Sequence, residues 1–481
     1  MHQSVRRMPI VVVLVAAALF AVVAGNAHSP AEPAPRSPDG ASEMPVSGTN
    51  SSAWFCPGVP SSISLSAQTV TISNIGSQPA STAVTVYPDD GSAPVTKPAD
   101  VGAHAVVRIA RADLGPAGGV VVEAFSRDVV VEFGVESSEQ FALGPCASVA
   151  SKRWYFAAGT TGNFQAGTSG RPVQEWLALF NPFGTDARVE VTLRTNEAVP
   201  DVLQKIDVPR RTRVLVPIHD RAVRKPRVAV AAHATVGQVV AAQTMVFGRQ
   251  SGFTGITMSL GAVKTSPTWS FGYGAATRGS TTYVAVVNPG LIDTEVDVSV
   301  TAANAPVTVP VKRDAVVWVK IGGCTTPPAP DCIPVRANTA YVTTVSSDSD
   351  NPVVAEQLTF MSDESPSEGV ATMMGTPAPA RTGVFALGGT ARSTSGVLAI
   401  ANPGAAALTA DVTIDRGGRA EKPAGAQRIA LDPGQVKTLD LKKLLASGDG
   451  ALVVTATDGV VVSRMLGAAS DFSRAEAIAS R

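Results

Sequence analysis

The side chains that could carry out chemistry are few and widely spaced in this 481-residue chain. Of its five histidines, His104, His219 and His233 lie beyond the N-terminal segment, and none has a second ligand or catalytic partner at a characteristic spacing. The chain lacks a Gly-x-Ser-x-Gly nucleophile motif, a phosphate-binding loop and a His-Glu-x-x-His motif. We therefore expect no catalytic residue, no cofactor and no metal site, and we predict that the protein is not an enzyme.

Two acidic residues occupy related places in short apolar runs, Glu132 in VVVE and Glu356 in VVAE. A pair of carboxylates is the usual machinery of general acid–base chemistry. These two belong to different repeats of the chain, so we do not expect them to share one site. We interpret each as a charge that protects a strand edge from pairing with another chain.

The four cysteines are expected to form two disulfides, because the N-terminal segment predicts export into an oxidising compartment. Cys56 and Cys146 stand at the two ends of one repeat, and Cys324 and Cys332 flank a short proline-rich loop. A metal site is the alternative for such cysteines, but no histidine or second close cysteine pair accompanies them.

A run of cations is the clearest candidate for a binding surface. It contains one acid, Asp220, and seven basic residues: Arg210, Arg211, Arg213, Arg221, Arg224, Lys225 and Arg227. Such a cluster could hold a phosphate- or carboxylate-bearing polymer or lipid headgroups through charge-assisted hydrogen bonds. The alternative is the solvated end of a sheet. A long loop in the same repeat, residues 157–174, is either a recognition loop or an indifferent insertion.

Composition excludes several classes of partner and structure. Hydrophobic residues make up 45% of the chain and charged residues 16%, so it has ample apolar surface to bury. Lys and Arg together equal Asp and Glu at 39 each, so no overall charge favours nucleic acid. Recurrent valine runs with 43 Gly and 35 Pro predict short strands joined by many turns.

The N-terminus carries an export signal. Arg6 and Arg7 precede an apolar run, residues 10–24, and Gly25-Asn26-Ala27 resembles a cleavage site. Residues 1–27 are therefore either a cleaved signal peptide or an uncleaved signal anchor that tethers the protein to the membrane. Residues 28–52, rich in Pro, Ala and Ser, are predicted to be a disordered spacer.

Beyond the spacer, four diverged copies of one repeat make up the chain. Each contains an apolar segment that ends in asparagine, and these asparagines, 107, 107 and 114 residues apart, are Asn74, Asn181, Asn288 and Asn402. A strand with alternating inward residues follows each one at the same offset. The asparagine side chain is expected to start a turn with its own hydrogen bond.

The repeat length predicts an all-β protein of four tandem immunoglobulin-like β-sandwiches, since each copy holds about seven strands separated by frequent turns. A β-propeller is the alternative, although its blades need only about 40 to 50 residues. The predicted boundaries are 53–148, 149–265, 266–380 and 381–475. Each copy opens on an aromatic strand, with Trp54, Trp154 and Trp269 replaced by Phe385 in the last, and Leu441–Leu445 is expected to form a helical turn.

The segments WYFAAGTT at 154–161, LALFNP at 177–182 and VVAEQ at 353–357 resemble a repeat of uncharacterised secreted proteins from actinobacteria and similar bacteria. The opening WFCPG at 54–58 is similar to one such domain-of-unknown-function family, which carries a signal or anchor segment. The resemblance covers residues 53 to about 475. It implies no catalytic or binding residue, and it suggests a setting near envelope glycosyltransferases.

Together these features predict an extracytoplasmic protein, secreted or anchored at the outer face of the cytoplasmic membrane. We expect a non-enzymatic scaffold or interaction protein of the cell envelope, with an envelope protein or cell-wall polymer as its partner. The alternative is a module that binds carbohydrate or an anionic polymer beside a glycan-building enzyme.

Overall fold

A computed structural model describes residues 40–480, apart from 46–48, 64, 66, 163–172, 196–200, 249–252, 363, 365–367, 390–392, 394, 446–448 and 469, and only the backbone of 201–204. The predicted signal segment and the predicted tether at residues 10–24 lie outside these residues. Most of the predicted spacer does too.

The first two repeats contain eight strands each. Those of repeat 1 are β1 Ser52–Cys56, β2 Ala67–Asn74, β3 Thr82–Pro88, β4 Val95–Pro98, β5 Ala105–Ala110, β6 Gly118–Ala124, β7 Val129–Glu136 and β8 Phe141–Pro145. Those of repeat 2 are β9 Arg153–Gly159, β10 Gln174–Asn181, β11 Ala187–Arg194, β12 Asp201–Val208, β13 Thr212–Pro217, β14 Val228–Val236, β15 Val240–Phe247 and β16 Gly255–Leu260. Short 3-10 helices span Arg111–Leu114 and Ile218–Asp220.

The last two repeats add short extra strands. Those of repeat 3 are β17 Thr268–Ala276, β18 Ser280–Asn288, β19 Thr294–Val300, β20 Val307–Val311, β21 Ala315–Ile321, β22 Cys332–Ile333, β23 Thr339–Ser347, β24 Val354–Met361 and β25 Gly369–Met374. Those of repeat 4 are β26 Ala380–Phe385, β27 Ser395–Ala401, β28 Leu408–Arg416, β29 Arg419–Glu421, β30 Ile429–Leu431, β31 Val436–Asp440, β32 Ala451–Ala468, β33 Asp471–Glu476 and β34 Ile478–Ser480, with helix α1 Leu441–Leu445 after β31 as predicted.

Each repeat is a sandwich of two sheets. In repeat 1 the sheets have the orders β1-β6-β3-β4 and β5-β2-β7-β8, and repeat 2 has the same plan in β9-β14-β11-β12 and β13-β10-β15-β16. In repeat 4 the long strand β32 serves both sheets. The all-β sandwich prediction is confirmed. Repeats 1 and 2 have one strand more than the seven expected and repeats 3 and 4 have two more. In each repeat one of the added strands is a final strand that pairs with the run that closes the predicted unit.

The repeat landmarks behave as predicted. The strand after each asparagine buries its alternating residues: Thr82, Val84 and Val86; Val189, Val191 and Leu193; Val296, Val298 and Val300; Ala410, Val412 and Ile414. The amide of each asparagine donates to the carbonyl four residues ahead, as Asn181 does to Thr185 at 2.8 Å, and its side-chain oxygen accepts the amide two residues ahead. The asparagine thereby fixes the turn that leads into the next strand.

The predicted aromatic position of repeat 4 is wrong by two residues. Trp54 in β1 pairs with Val122, and the equivalent position in β26 is Gly383, which pairs with Val454. Phe385 therefore corresponds to the residue two places after each tryptophan. A side chain at Gly383 has no room, because a Cβ there would lie 2.9 Å from Cβ of Ala477.

The final strand of each repeat packs at the centre of the molecule. β8 contacts β16 and β33, and β25 contacts the same two strands, so the four repeats close into a ring in chain order. Each of these strands pairs along one edge with its own sheet and is the edge strand of that sheet. We call β8, β16, β25 and β33 the axial strands.

The end of the predicted spacer is built into this ring. The amide of Met44 donates to the carbonyl of Ala479 at 2.8 Å, and the hydroxyl of Ser42 donates to the carbonyl of Cys146 at 2.8 Å. Residues 40–45 thus bridge repeats 1 and 4 instead of continuing the predicted disorder, because Met44 buries its side chain there. At the other end, β34 extends repeat 4 beyond residue 475.

Candidate functional site

A single carboxylate lies where the four axial strands begin. Asp471 accepts one backbone N–H from every repeat: those of Phe141 and Ile256 at 2.9 Å on one oxygen, and those of Val370 at 3.2 Å and Phe472 at 2.8 Å on the other. These four donors are equivalent residues of the four repeats. Asp471 therefore joins all repeats at the axis.

The space at the start of the axial strands has room for the side chain of Asp471 and not for a side chain from repeat 2 or 3. The equivalent residues in repeats 2 and 3 are Gly255 and Gly369, where a Cβ would lie 2.6 and 2.2 Å from an oxygen of Asp471. Burial raises the pKa of Asp471 well above its usual range, while the four amides oppose that shift because they stabilise the carboxylate. Asp471 is 1% exposed, and both of its oxygens accept backbone N–H groups.

The junction of repeats 4 and 1 contains a buried ion pair. The guanidinium of Arg464 donates to both oxygens of Glu132 at 2.9 Å, and Glu132 also accepts the amide of Leu387 at 2.9 Å. Glu132 is not exposed at all and lies in a central strand. The interpretation of Glu132 as edge protection is therefore wrong, because a neighbouring repeat covers it.

The junction of repeats 2 and 3 places Glu356 in the equivalent position. One of its oxygens accepts the amides of Ala157 and Ala158 at 3.0 Å, so this residue too is covered by a neighbour and does not protect an edge. Glu175, also fully buried, accepts a hydrogen bond from the side-chain amide of Gln243 at 2.7 Å. Burial raises the pKa of Glu175 to about 8 and raises that of Glu356.

The junction of repeats 3 and 4 holds Arg474 and Glu476. Arg474 donates to Thr359 at 2.7 Å and to the carbonyl of Tyr273, and burial lowers its pKa. Glu476 accepts from Ser463 at 2.9 Å and from the amide of Gly272 at 3.2 Å, and burial raises its pKa to about 7. These groups hold one repeat against the next.

The predicted basic cluster does not form one surface. Arg213 is 5% exposed and lies in the junction of repeats 1 and 2, where it pairs with Asp89 at 2.5 Å and donates to the carbonyls of Pro57 and Val59. Arg210 and Arg211 are exposed before β13, whereas Arg221, Arg224, Lys225 and Arg227 follow it. Between the two groups the chain runs through β13, a six-residue strand about 20 Å long, and then through the 3-10 helix Ile218–Asp220.

The second group lies beside the predicted recognition loop. The amide of Thr161 donates to the carbonyl of Lys225 at 2.9 Å, and the hydroxyl of Thr161 donates to the carbonyl of Ala222. Arg221 and Arg224 are exposed and Arg227 is half-buried. Most of the loop, residues 163–172, lies outside the described residues.

A cavity of about 150 Å³ opens where the axial strands end. Its lining is mainly apolar and includes Met258, Met373 and Met374, together with the polar residues Arg474 and Glu476. The hydroxyl oxygen of Thr372, also in the lining, is buried without a hydrogen-bond partner among the described residues. Such a mixture is suited to a small, mostly apolar molecule.

The three histidines are placed apart. Nδ1 of His104 lies 3.1 Å from Asp415 of repeat 4, His219 contacts the carbonyl of Glu175 at 2.8 Å, and His233 is exposed on β14. Within the described part of the chain, no group of three or more His, Cys, Asp or Glu side chains is placed to hold a metal ion. No helix in that part is long and apolar enough to span a membrane.

Both predicted disulfides are confirmed, since Cys56 is bonded to Cys146 and Cys324 to Cys332. They indicate an oxidising, extracytoplasmic environment. Sequence reasoning missed the residues that join the repeats, above all Asp471 and Arg464. The one available signal was that both are charged residues within or beside apolar strands, where charge is rare without a partner.

The fold and the junctions define a class of protein: a single chain whose four β-sandwich repeats close into a ring. Neither a protein-family model nor a curated protein matches this chain. Among solved structures it is similar to Thermotoga maritima 1070, with 16% identity and a TM-score of 0.21 over 24% of this chain and 95% of that chain. It is also similar to the Anabaena sensory rhodopsin transducer, with 22% identity and a TM-score of 0.18 over 22% and 95% of the respective chains. These similarities carry no conclusion about function.

Proposed function

We propose that this protein is a non-enzymatic scaffold or interaction protein of the cell envelope, held outside the cytoplasm. The observation that carries the proposal is that the charged groups inside the ring hold the repeats together. Asp471, Glu132, Arg464 and Arg213 all bond one repeat to another. Such bonds favour a rigid body that displays its outer loops to partners.

Exposed apolar side chains on these loops offer places to capture a partner. Leu291 is 84% exposed in the turn after Asn288, and Phe125 is 76% exposed between β6 and β7. A photo-crosslinking amino acid at either position should trap the same envelope protein or polymer in repeated experiments on intact cells. Uniform labelling of unrelated proteins from both positions would contradict a specific interaction.

The attachment of the protein is part of the proposal. We propose that residues 10–24 either anchor the chain at the outer face of the cytoplasmic membrane or are removed on secretion. Cell fractionation of the tagged full-length chain distinguishes the two, because an anchored form sediments with membranes and a secreted form appears in the medium. Recovery from the cytoplasm would contradict an extracytoplasmic function.

A second candidate function is binding of an anionic cell-wall polymer. It is favoured by the contact of Thr161 with Lys225, which joins the start of the long loop to the cations after β13. Replacing Arg221, Arg224 and Arg227 by Ala should abolish a salt-sensitive pull-down with polymer. Replacing Arg210 and Arg211, at the other end of β13, is the matched control and should leave the pull-down intact. Equal losses in both variants would point to non-specific charge attraction.

A further inference from the structure

The four junctions of the ring contain equivalent pairs of residues, which allows each to be compared with the others. By the register of the asparagines, the positions equivalent to Arg464 and Glu132 are those of Phe133 and Ala242, Gln243 and Glu356, and Gln357 and Ser463 at the other three junctions. Two of these four pairs of positions therefore contain a buried glutamate, Glu132 and Glu356. Only one of those two glutamates faces a cation.

At the junction of repeats 4 and 1, the charge of Glu132 is fully compensated. Its first oxygen receives Nη2 of Arg464, and its second receives Nη1 of Arg464 and the amide of Leu387. The guanidinium also donates to the carbonyl of Leu387, so it fills the space between the two repeats. A buried carboxylate is expected to have a partner of this kind.

At the junction of repeats 2 and 3, the position of the arginine is taken by Gln243. One oxygen of Glu356 receives the amides of Ala157 and Ala158, where Glu132 receives the single amide of Leu387. Its Oε1, beside the hydroxyl of Ser259, lacks a hydrogen bond of ordinary length among the described residues. A second buried acid, Glu175, is added and binds the amide nitrogen of Gln243. This junction has two carboxyl groups and no basic side chain in the equivalent place.

Four side-chain oxygens at that place lack a hydrogen bond of ordinary length within the described part of the chain. They are Oε1 of Glu356, Oε2 of Glu175, Oε1 of Gln243 and Oγ of Ser259, and the two glutamates and Gln243 are at most 1% exposed. The carboxyl groups are close enough for the charge of Glu356 to raise the pKa of Glu175, while the backbone of Thr160 beside Glu175 and the hydroxyl of Ser259 beside Glu356 oppose the rise in the pKa of each. Every atom in this set that could bind a metal ion is an oxygen.

We propose that a hard divalent cation binds between repeats 2 and 3, held by Glu175, Gln243 and Glu356, in place of the arginine used between repeats 4 and 1. Two carboxylates match a double positive charge, and carboxylate, amide and hydroxyl oxygens are the ligands of Ca²⁺. Mg²⁺ fits less well, because it demands near-ideal octahedral geometry, whereas Ca²⁺ accepts irregular coordination.

Protons compete with the cation. Burial raises the pKa of Glu175 to about 8 and also raises that of Glu356, so both carboxyl groups bind protons more tightly than they would in water. Binding of the cation must displace these protons, so its affinity rises with pH. The experiment is therefore done at pH 8.

The test uses the full chain, stripped with EGTA and then equilibrated with Ca²⁺ or Mg²⁺. We expect one tightly bound Ca²⁺ per chain by metal analysis after gel filtration, and a rise in the thermal unfolding midpoint of at least about 2 °C relative to EGTA. Mg²⁺ should give a smaller rise. A chain with no stoichiometric Ca²⁺ and no change in midpoint would overturn the proposal and leave protons as the only occupants.

Substitutions identify the site. Glu175→Gln should abolish the bound Ca²⁺, whereas Glu476→Gln, which neutralises a half-buried glutamate at the junction of repeats 3 and 4, should leave it unchanged. Gln243→Arg recreates the arrangement of Arg464 with Glu132 and should give a folded chain that no longer responds to Ca²⁺. Bound Ca²⁺ that persists in Glu175→Gln and Gln243→Arg would show that the cation lies elsewhere.

Discussion

Arg464 and Glu132 lie 332 residues apart in the chain and are joined by two hydrogen bonds of 2.9 Å, with at most 1% of either side chain exposed. The pair connects the last repeat to the first and so closes the ring. Both side chains are buried away from water, so each charge is compensated only by the other. A buried ion without a partner lowers the free energy of unfolding substantially.

Removal of one partner of this ion pair should lower the free energy of unfolding more than removal of both. Arg464→Met should lower the free energy of unfolding by about 3–5 kcal/mol, because it leaves Glu132 charged and buried. Glu132→Gln combined with Arg464→Met should recover much of this loss, since no charged group is then left buried without a partner. Urea denaturation of the three proteins checks the prediction. Equal losses in the single and double variants would show that the charges are not coupled.

The carboxylate of Asp471 should be replaceable by a small anion. Asp471→Ala leaves four backbone N–H groups pointing into a space the size of a carboxyl group, and we expect a loss of about 3 kcal/mol or more. Formate should restore part of the thermal unfolding midpoint of this variant without affecting the wild type. Asp471→Asn is the control. Its side-chain NH₂ group would face two of the backbone N–H groups, and its side chain would leave no room for the anion. A midpoint for Asp471→Ala that does not respond to formate contradicts this role.

Stability should fall as the pH rises through neutrality when divalent cations are absent. The pKa values of Glu175 and Glu476, about 8 and about 7, lie above the usual 4.5, so the folded chain binds these protons more tightly than the unfolded chain. Their stabilisation is complete below pH about 4.5 and is lost as the pH rises through about 7 for Glu476 and about 8 for Glu175.

Denaturation in EGTA between pH 5 and 9 measures this loss. Each group should contribute a slope of up to about 1.4 kcal/mol per pH unit, and Glu175→Gln and Glu476→Gln should each flatten the curve in their own range. Identical pH profiles in the wild type and the variants would show that the two carboxyl groups do not titrate in this way.

The two disulfides should differ in their effect on stability. Cys56–Cys146 closes a loop of 90 residues and Cys324–Cys332 one of 8. Loop entropy predicts a loss of about 4.5 kcal/mol for replacing the first pair by Ala and about 2.5 kcal/mol for the second. Guanidinium denaturation of each double variant tests the order. The reverse order would mean that contacts in the loops outweigh the entropy of the unfolded chain.

The sequence was sufficient for features that depend on residues close together in the chain. The turn after each asparagine and the alternation of Val84 and Val86 follow from bonds and spacings within one repeat, and four copies confirm one another. The disulfides were accessible for the same reason, since Cys56 and Cys146 flank one repeat. Local periodicity therefore predicted the sandwich.

Features that depend on contacts between repeats were not accessible. Glu132 was interpreted as an edge charge because nothing nearby in sequence shows that Arg464 covers it. Arg213 was grouped with its neighbours in sequence, although its partner Asp89 belongs to another repeat. The oxygens of Glu175 and Glu356 meet only because two repeats are packed together. A single sequence shows the period of these repeats, but it does not show which residues of one repeat contact which residues of another.

The placement of Asp471 has a consequence for symmetry. Four identical chains around an axis would bring four copies of any axial residue together, and four carboxylates could not share that space. One chain with unequal copies can place an acid in one repeat and glycine in two others, at Gly255 and Gly369. Covalent joining thus permits an asymmetric centre in a ring of four similar repeats, with the fourth repeat supplying the one acid that binds backbone amides of the other three.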